Sequence, residues 1–138
     1  MSAATTTILD VEHLSVQLPT ASGPITIVDD VSYQVEQGKV FGVAGESGSG
    51  KTISVLALMR LLPDGARIDG SASFGGRDLL ALRRRALQDV RGAEIAMVFQ
   101  DPLTSLHPML SIGRQLTEHV RFHEGLKRKA ADARAREL

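Results

Sequence analysis

Gly45-Glu46-Ser47-Gly48-Ser49-Gly50-Lys51-Thr52 is the stretch on which the reading of this 138-residue chain turns. It fits the pattern G-x-x-x-x-G-K-[ST], and each place in that pattern has a physical reason. Gly45, Gly48 and Gly50 let the backbone fold tightly and approach a phosphate with no Cβ in the way. The N–H groups along the loop, those of Glu46, Ser47 and Ser49 included, can point inward as an anion-binding nest. A helix beginning near Thr52 adds the positive end of its dipole. Lys51 supplies a mobile cation for β- and γ-phosphates, and the Thr52 hydroxyl suits a Mg²⁺ ligand.

The bland alternative is a flexible Gly/Ser turn that matches by accident, and the flanks argue against it. Upstream, Lys39-Val40-Phe41-Gly42-Val43-Ala44 is a short apolar run without polar alternation, which suits a strand buried on both faces. Downstream, Val55, Leu56, Met59 and Leu62 recur at helical spacing over Thr52–Leu62, and Pro63 closes the segment. Strand, glycine loop and helix in that order are the context a phosphate-binding loop requires.

Further out, Ile8–Leu18 carries Leu9, Val11, Leu14, Val16 and Leu18 in strand-like alternation that slips near His13, where a bend or bulge is expected. Pro19–Pro24 reads as a turn. Ile25–Glu36 reads as a second strand region with Val31, Tyr33 and Val35 on one face. Arg67–Arg77 is expected to form short strands and turns. Leu79–Arg91 reads as a basic amphipathic helix and Ile95–Phe99 as another apolar strand. Gln100–Pro108 reads as a loop and Ile112–Leu138 as one long helix. The pattern is still helical at Arg136-Glu137-Leu138 with no stop signal there, so the chain is expected to be a piece of something longer.

Bulk properties exclude several classes. Sixteen basic residues balance sixteen acidic ones, so no global field argues for a nucleic-acid partner. No cysteine is present, which removes disulfides and thiolate metal ligation. Met1–Thr7 has neither a basic nor an apolar region of the secretory kind. Val55–Leu62 is the most apolar stretch and is too short to span a bilayer. His119 and His123 stand four apart, which is ligand spacing, but with no obvious third ligand. Arg83–Arg85 reads as a solvated helix face.

The segment after the second apolar run narrows the class. Val98-Phe99-Gln100-Asp101-Pro102-Leu103-Thr104-Ser105-Leu106-His107-Pro108, followed by Ile112-Gly113-Arg114-Gln115, resembles the Q-loop region of ABC transporter ATPases. Within them it is similar to the dipeptide/oligopeptide/nickel importer subfamily, which reads FQDPxTSLNP and then IGxQ. The phosphate loop has that subfamily's form too. Ser is commoner there in place of Thr52, and Asn in place of His107. The resemblance runs from about Ile8 to Leu138.

That resemblance implies an α/β fold: a P-loop NTPase (ABC ATPase) core, incomplete, with an N-terminal antiparallel β subdomain and a C-terminal helical segment. Its parts would be a β-rich core over 8–99 holding the loop at 45–52, the Q-loop region at 100–111, and the start of a helical subdomain at 112–138. ATP and Mg²⁺ would be the cofactors. Gln100 would reach the Mg²⁺ and the attacking water, acting as a catalytic and metal-binding residue beside Thr52. Asp101–Pro108 would meet the membrane subunits of a transporter. A second ATPase subunit or the missing C-terminal half would complete the site, and the protein would be cytoplasmic, peripheral on the inner face of the cell membrane.

The same resemblance sets limits. The LSGGQ signature, Walker B Asp, catalytic Glu and switch His of the family have no match in Asp101–Leu138. Glu118, Glu124 and Glu137 follow no apolar strand. No aromatic residue stands in Pro19–Val28 to stack an adenine, and Tyr33 is expected to be buried. The reading is therefore the ATP-binding portion of a peptide importer, inactive in hydrolysis by itself. The other class of reading is a non-catalytic relic or interaction module that docks on a transporter membrane subunit. A small P-loop kinase fits poorly, because the length leaves no room for a lid and acceptor site.

Overall fold

The computed structural model describes residues 6–101 and 106–138. The chain forms two compact units, Met1–Leu87 and Gln88–Leu138.

The first unit is built on a four-stranded antiparallel sheet of order β2-β1-β3-β4. Its strands are β1 (Thr7–Leu18), β2 (Ile25–Glu36), β3 (Arg67–Phe74) and β4 (Arg77–Asp78). Val11, Leu14 and Val16 of β1, Val28 of β2 and Ala72 of β3 supply its buried residues. The spacing of the first three records the slip expected near His13. Val11 pairs with Tyr33 and Leu14 with Val31, so β1 carries one extra residue. Leu14 then pairs with Val31 and Val16 with Val28, so β2 carries the next. These two bulges offset one another, so Val11, Leu14, Val16 and Val28 stay buried, and further shifts follow at Thr7/Leu9 and Val16/Gln17.

Helix α1 (Lys51–Leu58) leaves the glycine loop and buries Ser54, Ala57 and Leu58. It is shorter than the expected Thr52–Leu62, and Pro63 is not what stops it. Arg60 adopts a left-handed φ of 48°. The Leu61 N–H donates to Leu56 O at 2.9 Å and the Arg60 N–H to Ala57 O at 2.9 Å. This is a Schellman closure with arginine where glycine is usual. The Arg60 guanidinium donates to Leu82 O at 2.6 Å, which holds the turn in place.

Helix α2 (Arg84–Val90) is also shorter than the expected Leu79–Arg91. The Asp78 carboxylate accepts from the N–H groups of Leu80 at 3.0 Å and Ala72 at 3.2 Å, and Leu79 N–H donates to Ala72 O at 2.8 Å. Leu79–Leu82 is thereby tied to the sheet edge as a turn.

The two apolar runs read as strands do not form them. Lys39–Ala44 has no regular structure, and Val40 is fully exposed. In Ile95–Phe99 only Ile95 pairs, through a single bridge to Arg91. A strand needs neighbours along its length to take up its N–H and C=O groups, and among the described residues neither run joins a sheet.

The second unit centres on α3 (Ile112–Glu124) and α4 (Arg128–Glu137). The expected single helix over Ile112–Leu138 is broken at Gly125, whose φ of 65° caps α3 with its N–H on Arg121 O at 3.1 Å. At the other end the Ser111 hydroxyl accepts from Arg114 N–H, a standard N-cap. The Thr117 hydroxyl lies 2.7 Å from Gly113 O and 2.8 Å from Asp132 Oδ1, which ties α3 to α4. Glu124 and Arg134 add an ion pair at 3.6 Å. The connection between the helices is short, as in an αα-hairpin.

Candidate functional site

The glycine loop occupies 45–50 in the first unit and runs straight into α1. Gly48 and Gly50 have φ values of 84° and 85°, a region that side chains disfavour. Gly50 is confined a second way. A Cβ there would lie 2.8 Å from Ile27 O and 3.2 Å from Val28 Cγ2, so the loop rests directly on β2. At Gly45 a Cβ would meet Ser49 Oγ at 2.7 Å. At Gly50 the close neighbour is backbone, so a side chain there cannot be accommodated without moving β2, whereas at Gly45 the Ser49 side chain would have to turn aside.

Gly50 is the N-cap of α1 and offers no side chain to cap it. The first N–H groups of a helix have no intrahelical acceptor, so the start of α1 presents donors and the positive dipole end. No acidic residue stands in its first turn to compete for them. Ser54 N–H closes the first intrahelical bond on Gly50 O at 2.8 Å, and its hydroxyl donates to Lys51 O at 2.7 Å. The helix therefore starts sharply at Lys51.

The Lys51 ammonium folds back over the loop. It donates to Gly45 O at 2.8 Å, Glu46 O at 2.6 Å and Ser49 Oγ at 3.3 Å. Ser49 N–H closes the loop's own turn on Glu46 O at 3.2 Å. A cation is thus held at the mouth of a ring of backbone groups that open to solvent: residues 45–49 and Thr52 are exposed and Gly50 is buried. The observed cradle, its uncapped helix start and its lysine fit a phosphate group in both shape and charge. The Thr52 hydroxyl, on an exposed residue one place further, is chemically suited to a hard cation.

Gln100 lies in a bend of the second unit and is exposed. Of the segment Asp101–Pro108, residues 102–105 lie outside the described residues. In the part that is described, Gln115 performs a role that sequence reasoning missed. Its side-chain oxygen accepts from His107 N–H at 2.9 Å, and its amide nitrogen donates to His107 O at 3.1 Å and Leu110 O at 2.9 Å. His107 Nδ1 in turn accepts from Met109 N–H at 3.2 Å. The turn before α3 is thus stapled by one glutamine, and the quoted Ile112-Gly113-Arg114-Gln115 was the signal that could have shown it.

His119 and His123 do meet, with ring centroids 4.6 Å apart. Among the described residues no group of three or more potential ligands gathers around them or elsewhere. Tyr33, expected to be buried, is only half-buried, and it stacks on Phe41, with centroids 5.1 Å apart and planes 11° from parallel. Burial raises its phenol above the ordinary value.

The fold has a solved counterpart. The dimeric post-hydrolysis state of the ATP-binding cassette MJ0796, bound to ADP and Pi, superposes with a TM-score of 0.73 at 18% identity, over 94% of this chain and 54% of that one. The class is thus an α/β fold of the P-loop, ABC-ATPase kind. The profile of the ABC transporter family matches residues 28–138, and the chain belongs to that family. A peptide import ATP-binding protein of Brucella melitensis is 45% identical over 139 residues, covering 100% of this chain and 42% of that protein. The dipeptide transport ATP-binding protein DppD of Haemophilus influenzae is 46% identical over 132 residues, 95% of this chain and 40% of that one. The oligopeptide transport ATP-binding protein OppD of Salmonella typhimurium is 43% identical over 124 residues, 90% of this chain and 37% of that one. The chain therefore spans about two fifths of the length of the curated relatives it matches. Among the described residues no helix is long and apolar enough to cross a membrane.

Proposed function

We propose that this chain is the Mg-ATP-binding portion of a peptide importer. The carrying observation is the loop at 45–52. Gly50 is pressed on β2, the helix start is uncapped, and a lysine is poised over the opening. The loop amides and Lys51 hold the phosphates, and Thr52 is a ligand to Mg²⁺. The bound Mg²⁺ would supply charge neutralisation between the phosphate oxygens. Gln100, a neutral amide able to bind a cation and accept from water without adding charge, is assigned to the γ-phosphate side. The relatives named as peptide, dipeptide and oligopeptide transport proteins support a peptide as cargo.

The chain acts with membrane subunits through Asp101–Pro108 and with a second ATP-binding portion. Its place is cytoplasmic, on the inner face of the membrane. Binding rather than turnover is the activity assigned to these residues alone. The parts 8–99, 100–111 and 112–138 serve as the phosphate-binding core, the Q-loop region and the start of the helical subdomain.

Titration calorimetry with Mg-ATP tests this. Micromolar binding that weakens about ten- to hundredfold in Lys51→Ala is expected, as for the loss of charge-assisted bonds. No heat of binding with the wild-type chain would favour the interaction-module reading instead. Clear ATP turnover by the chain alone, abolished by Lys51→Ala, would defeat its assignment as inactive in isolation.

A further inference from the structure

The paired bulges of β1 and β2 form a built device, and their residues interlock. His13 and Asp30 are the left-handed residues of the two bulges, with φ of 53° and 49°. The His13 N–H donates to Ser32 Oγ at 2.9 Å and the Asp30 N–H to Ser15 Oγ at 3.0 Å. Each bulge therefore hands its freed N–H to a serine on the opposite strand. The two side chains then close on each other, His13 Nδ1 donating to Asp30 Oδ1 at 2.6 Å. The third strand leaves no slack. A Cβ on Gly70 would lie 2.5 Å from His13 O and 2.6 Å from Glu12 O.

This interlock sits two residues beyond the backbone that supports the phosphate loop. Gly50 rests on Ile27 O and Val28 Cγ2. Val28 pairs with Val16 directly beyond the two offsetting bulges, and a further register shift falls at Ile27, between Val28 and Thr26. Loss of either of the two bulges alone would shift the pairing of β2 with β1 by one residue where it reaches Val28. The interlock thus directly adjoins the β2 backbone that lies under Gly50.

We propose that the His13–Asp30 pair is a positioning clamp for the phosphate loop: by locking the paired bulges it sets the Ile27–Val28 backbone against Gly50 and so tunes the affinity for a triphosphate. His13 and Asp30 are positioning residues and touch no substrate. Imidazole protonation strengthens the clamp, because a charged donor then meets the carboxylate. The bond to Asp30 and its charge raise the His13 imidazole above its ordinary value, with a smaller contribution from Glu12. The charged residues that the three strands bring to the bulges are Glu12 on β1, Asp29 and Asp30 on β2, and Asp69 on β3, all of them acidic. This acidic surround favours the protonated imidazole more than water does.

The inference rests on the nucleotide-binding reading, and its test is arranged to fail separately. His13→Gly and Asp30→Gly remove the side-chain bond while keeping the left-handed backbone free of strain. Each is expected to weaken Mg-ATP binding about threefold, the scale of an exposed ion pair. His13→Asn keeps an N–H donor toward Asp30 and tolerates the positive φ, so it is expected to rescue affinity. The ratio of wild-type to His13→Asn affinity cancels the titration of ATP itself. It is expected to fall as pH rises through the His13 titration. Wild-type affinity in both glycine variants, together with a flat ratio, overturns the clamp even where Lys51→Ala abolishes binding. Hydrogen exchange of the amides over 45–53 reads the loop with no nucleotide present. Faster exchange in His13→Gly upholds the clamp, and unchanged exchange with unchanged affinity overturns it. If the wild-type chain binds no nucleotide, that exchange result alone decides.

Discussion

Val11, Leu14 and Val16 of β1 are at most 1% exposed, whereas Val40 is 100% exposed and Phe41 and Val43 are 45% and 52% exposed. Both stretches are apolar, and both read as strands. β1 differs in having a hydrogen-bonding neighbour on each side, β2 and β3. Lys39–Ala44 has none among the described residues and stays irregular. An apolar pattern states that a segment is fit for burial. Whether it becomes a strand depends on other segments that satisfy its backbone.

That contrast can be broken by substitution. Leu14→Ala empties a fully buried site in the paired region and is expected to cost about 2–5 kcal/mol, read from urea denaturation. Phe41→Ala is expected to cost about 0.5–1.5 kcal/mol, because the ring's stack on Tyr33 anchors its run. Val40→Ser is expected to stay within about 0.5 kcal/mol of wild type, as exposed substitutions do. A Val40→Ser cost equal to that of Leu14→Ala would mean that the run is buried after all, and the comparison would collapse.

The smallest expected effect comes from pH and lies in the paired region. The His13 imidazole is raised by its bond to Asp30. Its contribution to stability is then fully present below the ordinary histidine value of about 6.5 and is lost as pH rises through the raised value. The melting temperature of wild type relative to His13→Asn should accordingly decline as pH climbs through the raised His13 value. A constant difference from acid to alkaline pH would remove the linkage.

The parts legible in the sequence were those whose signals are local. The slip at His13, the hairpin of β1 and β2, the strands after Arg67 and the eight-residue loop all carry their pattern within a few residues. The end of α1 was not legible, because Arg60 in a left-handed turn looks like any helical arginine until its bond to Leu82 O is seen. The break at Gly125 was present as a glycine, but the helical pattern on both sides of it masked it. Of the candidate site, the loop residues were readable and their support was not. Ile27 lies 23 positions before Gly50, and nothing at either position announces that one carries the other. Gln115 was visible only as a family resemblance, while its staple on His107 and Leu110 needed the fold.

Gly50 has a consequence for how this chain can change over time. Every single-base change in a glycine codon that alters the residue introduces a Cβ. At position 50 that atom meets Ile27 O at 2.8 Å and a φ of 85° at once. No one-step variant can be tried there and partly retained, because the first carbon already collides with backbone. Drift at this position has to begin in β2, with a strand that first moves aside.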